Sequence, residues 1–264
     1  MTARQAPRIL ATANQKGGVG KSTTTFHLAR AAVTTGQRVL VVDADPQGSL
    51  TTLAAAETLD ASHAGLADVL SSRSEATAAD VLVAGVWDDL DVLPTSGTAL
   101  GTVRDELVIA GAGRETRLHE ALQAVAADYD LILIDCPPSL DQLTINALVA
   151  AHGVVVVTHA GLLSTNGFGQ LLETIETVKR YYNPTLAVSG ILVNQHEGHT
   201  VSGAHWLSEL SEIAQARGLA VLIPPIPKRV AIRDSAEAAV GLDQWGSAEG
   251  RELANIYATH LPTL

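Results

Sequence analysis

The chain is poor in the residues that staple, stack or span. It holds one cysteine in 264 residues, Cys136, which excludes an internal disulfide and fits a reducing compartment. A small buried side chain beside a strand end is the plainest role for it. Aromatic residues make up 3%, and Trp87, Trp206 and Trp245 stand too far apart in sequence for a base-stacking platform, so they read as core or edge residues. No uninterrupted apolar run approaches the roughly 18 residues a membrane span needs. Met1 to Arg8 carries Arg4 and Arg8 but no apolar stretch, and a strand pattern follows at once, which argues against a secretory signal. A soluble, cytoplasmic protein is expected, with residues 1–264 as a single α/β domain.

Positive charge is also scarce, and the net charge is −11. It is unevenly spread. Between Lys179 and Arg233 six basic residues (Lys179, Arg180, Arg217, Lys228, Arg229, Arg233) face three acidic ones (Glu197, Glu209, Glu212), so this segment is +3 and the remainder −14. The asymmetry leaves room for an anion-binding face on an acidic protein.

What the chain does have is alternation. Apolar runs at Ile9–Ala13, Val39–Asp43 and Leu131–Asp135 end in polar or acidic residues and read as buried parallel strands. Gly153–Thr158, Leu186–Asn194 and Ala220–Ile223 are further strand candidates. Helical patterns fall at Lys21–Thr35, stopped by Gly36, at Arg114–Ala127, and at Asn166–Tyr182 before Asn183–Pro184. The alternation predicts right-handed βαβ units: a mostly parallel twisted sheet, helices on both faces, and ligands at the carboxyl ends of the strands. The stretch Ala54–Asp89, rich in Ala, Ser and Asp, gives no clear assignment.

Directly after the first strand comes Gln15-Lys16-Gly17-Gly18-Val19-Gly20-Lys21-Ser22-Thr23, leading into a helix. Glycines let successive N–H groups turn toward phosphate oxygens, and the helix N-terminus adds the positive end of its dipole. Lys21 supplies a point charge for the β- and γ-phosphates, and the Ser22 hydroxyl is a magnesium ligand. Gln15 stands where the strict phosphate-loop pattern has its first glycine, and a structural glycine turn is the alternative reading.

Lys16-Gly17-Gly18-Val19-Gly20-Lys21-Ser22 resembles the deviant Walker A loop of the ParA/MinD family of P-loop NTPases. That resemblance implies ATP and Mg2+ as cofactors and Lys16 reaching the partner's nucleotide in a dimer. It extends through Val41–Gly48 and Leu131–Ser139, which look like the family's switch I and Walker B/switch II segments. These place carboxylates at strand ends: Asp45 to orient the attacking water, Asp135 to hold magnesium through its water shell, and Asp43 in a structural role. For Asp135 a helix cap is the alternative. Catalytic residues are thus Lys16, Lys21 and Asp45. Lys16 to Thr23 form the ATP-binding loop (Lys16, Gly17, Gly18, Val19, Gly20, Lys21, Ser22, Thr23). The resemblance adds Asn194, on the strand whose asparagine meets adenine, and Pro227.

Residues 226–235 follow the family's late basic segment, with Ala231 where its second arginine stands, and Gly161 replaces the family's glutamate after the sixth strand. Arg217, Lys228, Arg229 and Arg233 are the candidate DNA contacts. The resemblance implies an ATP-dependent homodimer that binds double-stranded DNA without sequence preference, associates with the nucleoid, and partitions chromosome or plasmid with a ParB-like partner. A cargo-positioning adaptor working through protein partners is the alternative, and a metabolic kinase a third for which no acceptor-pocket signature is present. MinD-like members bind membrane through a basic amphipathic tail. Residues 251–264 carry Arg251 and Pro262 and no cationic face, so no membrane partner is expected. An iron–sulfur electron carrier would need more than Cys136. His196, His199 and His205 lack strict metal-ligand spacing and read as a polar loop.

Overall fold

The computed structural model describes residues 6–159 and 165–264. Its strands are β1 (Arg8–Ala13), β2 (Val39–Asp43), β3 (Val83–Ala84), β4 (Leu90–Leu93), β5 (Leu131–Asp135), β6 (Gly153–His159) and β7 (Ala187–Asn194). They form one sheet in the order β3-β4-β2-β5-β1-β6-β7, parallel throughout except for β3 against β4. The helices are α1 (Lys21–Val33), α2 (Ser49–Ala54), α3 (Leu66–Leu70), α4 (Ala78–Val81), α5 (Ala99–Ile109), α6 (Arg117–Gln123), α7 (Gln142–Ala150), α8 (Thr165–Tyr181), α9 (Val201–Ala216), α10 (Val230–Glu237) and α11 (Ala248–His260).

The two-residue period of a strand divides the apolar side chains between two cores. Ile9, Leu40, Val42, Ile132 and Ile134 join the core built with α3, α5, α6, α7 and α8. Leu10, Val39, Val41, Leu131 and Leu133 join the opposite one, built with α1, α2, α10 and α11. Because both faces are covered, the central strands read as continuous apolar runs, which is why they were legible.

Two sequence expectations need correction. Ala220–Ile223 is not a strand: only Val221 bridges Ile191, and Pro224 and Pro225 then have no N–H with which to extend a ladder. The helix expected over Arg114–Ala127 is confined to α6, with a separate 3-10 turn at Ala126–Asp128. Arg114 serves the preceding helix instead, its Nη1 donating to the Val108 carbonyl (2.7 Å) and the Ala110 carbonyl (3.3 Å) at the end of α5. Buried Asn146 of α7 then fixes the start of α6, donating to the Arg114 carbonyl (2.8 Å) and accepting from Leu118 N (3.2 Å). The unassigned Ala54–Asp89 stretch contains α3, α4 and β3, elements of two to five residues, too short to show a period.

Candidate nucleotide-binding site

β1 and β5 are neighbours in the middle of the sheet, so the loop leaving β1 and the carboxylate ending β5 meet at one place. Asn14 anchors the start of that loop: its Nδ2 donates to the Val157 carbonyl on β6 (2.7 Å), and its Oδ1 accepts from Lys16 N (2.9 Å). Gly18 and Gly20 then take left-handed φ values of +76° and +85°. At Gly20 glycine is required twice over, since a Cβ there would also stand 2.2 Å from Asn194 Nδ2. Gly20 caps α1 without any side-chain hydrogen bond, leaving first-turn N–H groups for an outside acceptor.

Beneath the loop lies a buried hydroxyl and carboxylate network. The Ser22 hydroxyl donates to Asp135 Oδ2, Thr12 Oγ1 lies 3.3 Å from Asp135 Oδ1, and Thr12 and Thr25 share a hydrogen bond of 2.7 Å. Asp43 is opposite Asp135 in the β2–β5 register and accepts from the Thr51 backbone (2.7 Å) and hydroxyl (2.8 Å). Asp43 thus ties β2 to α2, in keeping with its structural reading. Asp45, 9% exposed, opens onto the cleft while its Oδ1 accepts from Gln47 N (3.0 Å).

Burial holds both central carboxyls well above the ordinary carboxylate range. For Asp135 desolvation leads and the charge of Asp43 adds to it, while the Ser22 hydrogen bond and the Lys21 ammonium oppose it. For Asp43 desolvation is opposed by the bonds from Thr51. A hard divalent cation between Ser22 and Asp135 would meet oxygen donors alone and offset the buried negative charge, so the donor set fits magnesium. The Cys136 thiol is pushed up by the same burial and is no nucleophile.

Two adjoining clefts open over the loop. One of about 530 Å³ is lined by Gly17, Gly18, Gly20, Lys21, Ser22, Thr23 and Asp45, with Pro138 and Arg233. The other, of about 450 Å³, continues past Gly20 and Thr23 to Asn194, Gln195, Pro227, Lys228 and Arg229. The structure therefore brings the expected loop, Asp45 and Pro227 to one continuous site, with Asp135 buried under it. Lys21 is 7% exposed, whereas Lys16 is on the surface of the loop. Val19 is buried beneath the turn.

Some expected contacts are placed differently. Asn194 is buried, donating through Nδ2 to the Val19 carbonyl (2.9 Å) and accepting at Oδ1 from Gln195 N (2.9 Å). Of the basic residues assigned to DNA, Arg233 faces the phosphate-loop cleft, and Lys228 and Arg229 line its neighbour. All three are ion-paired: Lys228 with Glu197 (2.8 Å), Arg229 with Glu249 (3.0 Å), and Arg233 with Asp234 (3.2 Å) and Glu237 (3.6 Å). Arg217 stacks over Phe168 at 5.8 Å. Gly161 lies outside the described residues. Asn14, Thr12 and Thr25 carry contacts that no motif marks; for Thr12 and Asn14 the signal is a polar residue inside and just after the apolar run of β1. Among the described residues no group of three or more His, Cys, Asp or Glu side chains is placed to hold a metal ion, and no helix is long and apolar enough to cross a membrane.

A glycine-rich loop between a buried parallel strand and an uncapped helix, with Lys21-Ser22 at its end and a strand-end aspartate beneath, defines a P-loop NTPase. The AAA_31 family model, described as an AAA domain, matches residues 7–188. The sporulation initiation inhibitor protein Soj of Bacillus subtilis (strain 168) is 36% identical over 217 residues, 82% of this chain and 84% of that protein. The chromosome partitioning protein ParA of Caulobacter vibrioides (strain NA1000 / CB15N) is 40% identical over 194 residues, 72% and 70% of the two chains. A solved structure described as cobyrinic acid a,c-diamide synthase from Mycobacterium smegmatis, with bound ATP analog and magnesium, superposes with a TM-score of 0.76 at 36% identity, covering 91% of this chain and 96% of that one. The chain belongs to the ParA family.

Proposed function

We propose that this protein is an ATP-driven molecular switch of the partitioning type, acting as one domain over residues 1–264. ATP and Mg2+ occupy the site: the uncapped turn at Gly20 and buried Lys21 receive the phosphates, Ser22 and Asp135 hold the metal, and Asp45 orients the attacking water. The observation that carries the reading is the convergence of Lys21, Ser22 and Asp45 on one cleft directly above Asp135. Lys16 is exposed on the same loop, which supports a role for it toward a second copy. On this reading ATP closes a homodimer, the dimer binds double-stranded DNA without sequence preference on the nucleoid, and a ParB-like centromere-binding partner stimulates slow hydrolysis and release.

One observation favours the adaptor instead. Lys228, Arg229 and Arg233 are already balanced by carboxylates of this chain, which lowers the positive field available to DNA. Sedimentation with ADP, ATP and a slowly hydrolysed analogue, with and without DNA, separates the two. The partitioning reading expects a dimer with ATP that co-sediments with DNA; a dimer that ignores DNA even at low salt leaves the adaptor. Lys21→Ala is expected to lose both ATP affinity and dimerisation, and unchanged ATP-dependent dimerisation in that variant would overturn the site itself.

A further inference from the structure

Where α1 and α11 pack side by side, their facing side chains do not fill the space between them. His27, Arg30 and Ala31 of α1, with Thr34 at its end, follow the helical period along one face, and Ala254, Tyr257 and Ala258 of α11 answer them. Three of these side chains are single methyl groups, and a cavity of about 310 Å³ remains, bordered by Leu242 and Asp243 in the turn between α10 and α11. That is near the lower end of the range for small-molecule sites. The cavity shares no residue with the two clefts over the phosphate loop. It also carries no unbalanced charge, because the Arg30 guanidinium donates twice to the Asp243 carboxylate, at 2.9 and 2.6 Å.

Two of the side chains lining it, and a third beside them, carry polar atoms with nothing to bond. Thr24, His27 and Tyr257 are 0%, 2% and 1% exposed, and among the described residues Thr24 Oγ1, His27 Nδ1 and the Tyr257 hydroxyl have no hydrogen-bond partner. The Tyr257 hydroxyl feels that of Thr24, but the pair lacks hydrogen-bond geometry. Thr24 precedes His27 by one turn of α1, and the His27 and Tyr257 rings lie 5.0 Å apart, so the three belong to one buried neighbourhood. Folded chains leave few such groups unpaired, and three together beside a cavity point to an outside partner. His27 sets its chemistry. Nε2 bonds the Ile232 carbonyl, which can only accept, so Nε2 carries the proton; burial keeps the ring neutral, and Nδ1 is a bare acceptor. We propose that this cavity binds a small, uncharged, single-ring molecule whose hydroxyl donates to His27 Nδ1 while its apolar body packs against the alanines of α1 and α11. The proposal is independent of the nucleotide reading. The site nonetheless adjoins the elements that frame the phosphate-loop cleft, since His27 ties α1, which starts at Lys21, to α10, which lines that cleft through Arg233 and Ala236.

Phenol and toluene, nearly equal in size and different in the hydroxyl, are the probes. Calorimetric titration measures each on the parent protein and on Ala258→Phe and Ala31→Leu, which fill the cavity from α11 and from α1; circular dichroism checks that both variants fold. Nitrogen NMR with isotope-labelled histidine follows His27 Nδ1 in the parent and needs no variant. The parent is expected to bind phenol about fivefold more tightly than toluene, the worth of one net hydrogen bond, with the His27 Nδ1 resonance moving upfield for phenol alone. Both filled variants are expected to lose both probes. A parent that binds neither probe overturns the site, its buried polar atoms then being served by water. Equal affinity for the two probes, phenol binding with the His27 resonance unmoved, or a folded variant that binds as the parent does overturns it as well.

Discussion

At the scale of single residues the two loop lysines and the two strand-end aspartates differ in their surroundings, and the surroundings separate their tasks. Lys16 is exposed on the loop while Asp45 is nearly buried at the mouth of the cleft, its Oδ1 held by Gln47 N. Lys16→Ala is therefore expected to lose ATP-dependent dimerisation, and Asp45→Ala to keep the dimer but lose hydrolysis by about 100-fold or more, as removal of a group positioned for the transition state does. Analytical ultracentrifugation and single-turnover hydrolysis, run on both variants, check the split; parental turnover in Asp45→Ala would remove that residue from the chemistry. Asp43 and Asp135 share a register position, yet only Asp135 contacts Ser22, while Asp43 accepts from Thr51 at Oδ2 and from Asp45 N at Oδ1.

At the scale of elements, the phosphate-loop helix α1 is clamped between the sheet and the C-terminal helices, and a histidine mediates the clamp. His27 Nε2 donates to the Ile232 carbonyl of α10 (2.9 Å), and its ring lies 5.0 Å from that of Tyr257 on α11. Burial lowers its pKa to about 4, against the opposing hydrogen bond to Ile232 and the charge of Asp243. Since the folded-state value lies below the ordinary 6.5, the neutral ring contributes stability that is fully present above pH 6.5 and is lost as pH falls from there toward 4. By pH 5 the loss is about 2 kcal/mol. Urea unfolding at pH 7.5 and pH 5 is expected to show a smaller acid destabilisation in His27→Gln than in the parent. The buried pair Asp43 and Asp135 shifts the opposite way, gaining stability on acidification, and is common to both proteins, so the comparison isolates the histidine. An equal loss in parent and variant would exclude His27 as the acid-sensitive clamp.

At the scale of the whole molecule, an acidic chain must bind DNA through a local face or not at all. The ion pairs on Lys228, Arg229 and Arg233 join exposed side chains, so each contributes little and can be exchanged for a phosphate contact. On the partitioning reading a dimer would present each such contact twice on one surface, so DNA affinity is expected to rise with dimerisation and fall steeply with salt through counterion release. The double variant Arg229→Ala/Arg233→Ala is expected to lose ATP-dependent DNA binding while still dimerising. Mobility shifts at two salt concentrations, alongside sedimentation, decide this. Because Arg233 also lines the phosphate-loop cleft, loss of dimerisation in the double variant would assign it to the nucleotide instead. Normal DNA binding would move the face to Lys179, Arg180, Arg217 and Lys228.

The sequence by itself determined the parallel sheet and the phosphate loop, because both are encoded locally. Strands covered on two faces are continuous apolar runs, and a phosphate-binding turn needs its glycines and lysine consecutive. Lys21, Ser22, Asp45 and Asp135 were therefore legible, along with β1, β2, β5 and β6. Tertiary structure alone decided what depends on contacts between distant segments. It ended the run at Ala220–Ile223 in a single bridge, turned Arg114 back onto α5, and set Lys228 and Arg229 against carboxylates up to 31 positions away. It also engaged Asn194 with the phosphate loop, 175 residues earlier in the chain. Hydrogen bonds and ion pairs of that reach carry no period and no spacing, and they exist only once the sheet has brought β1 and β7 to either side of β6.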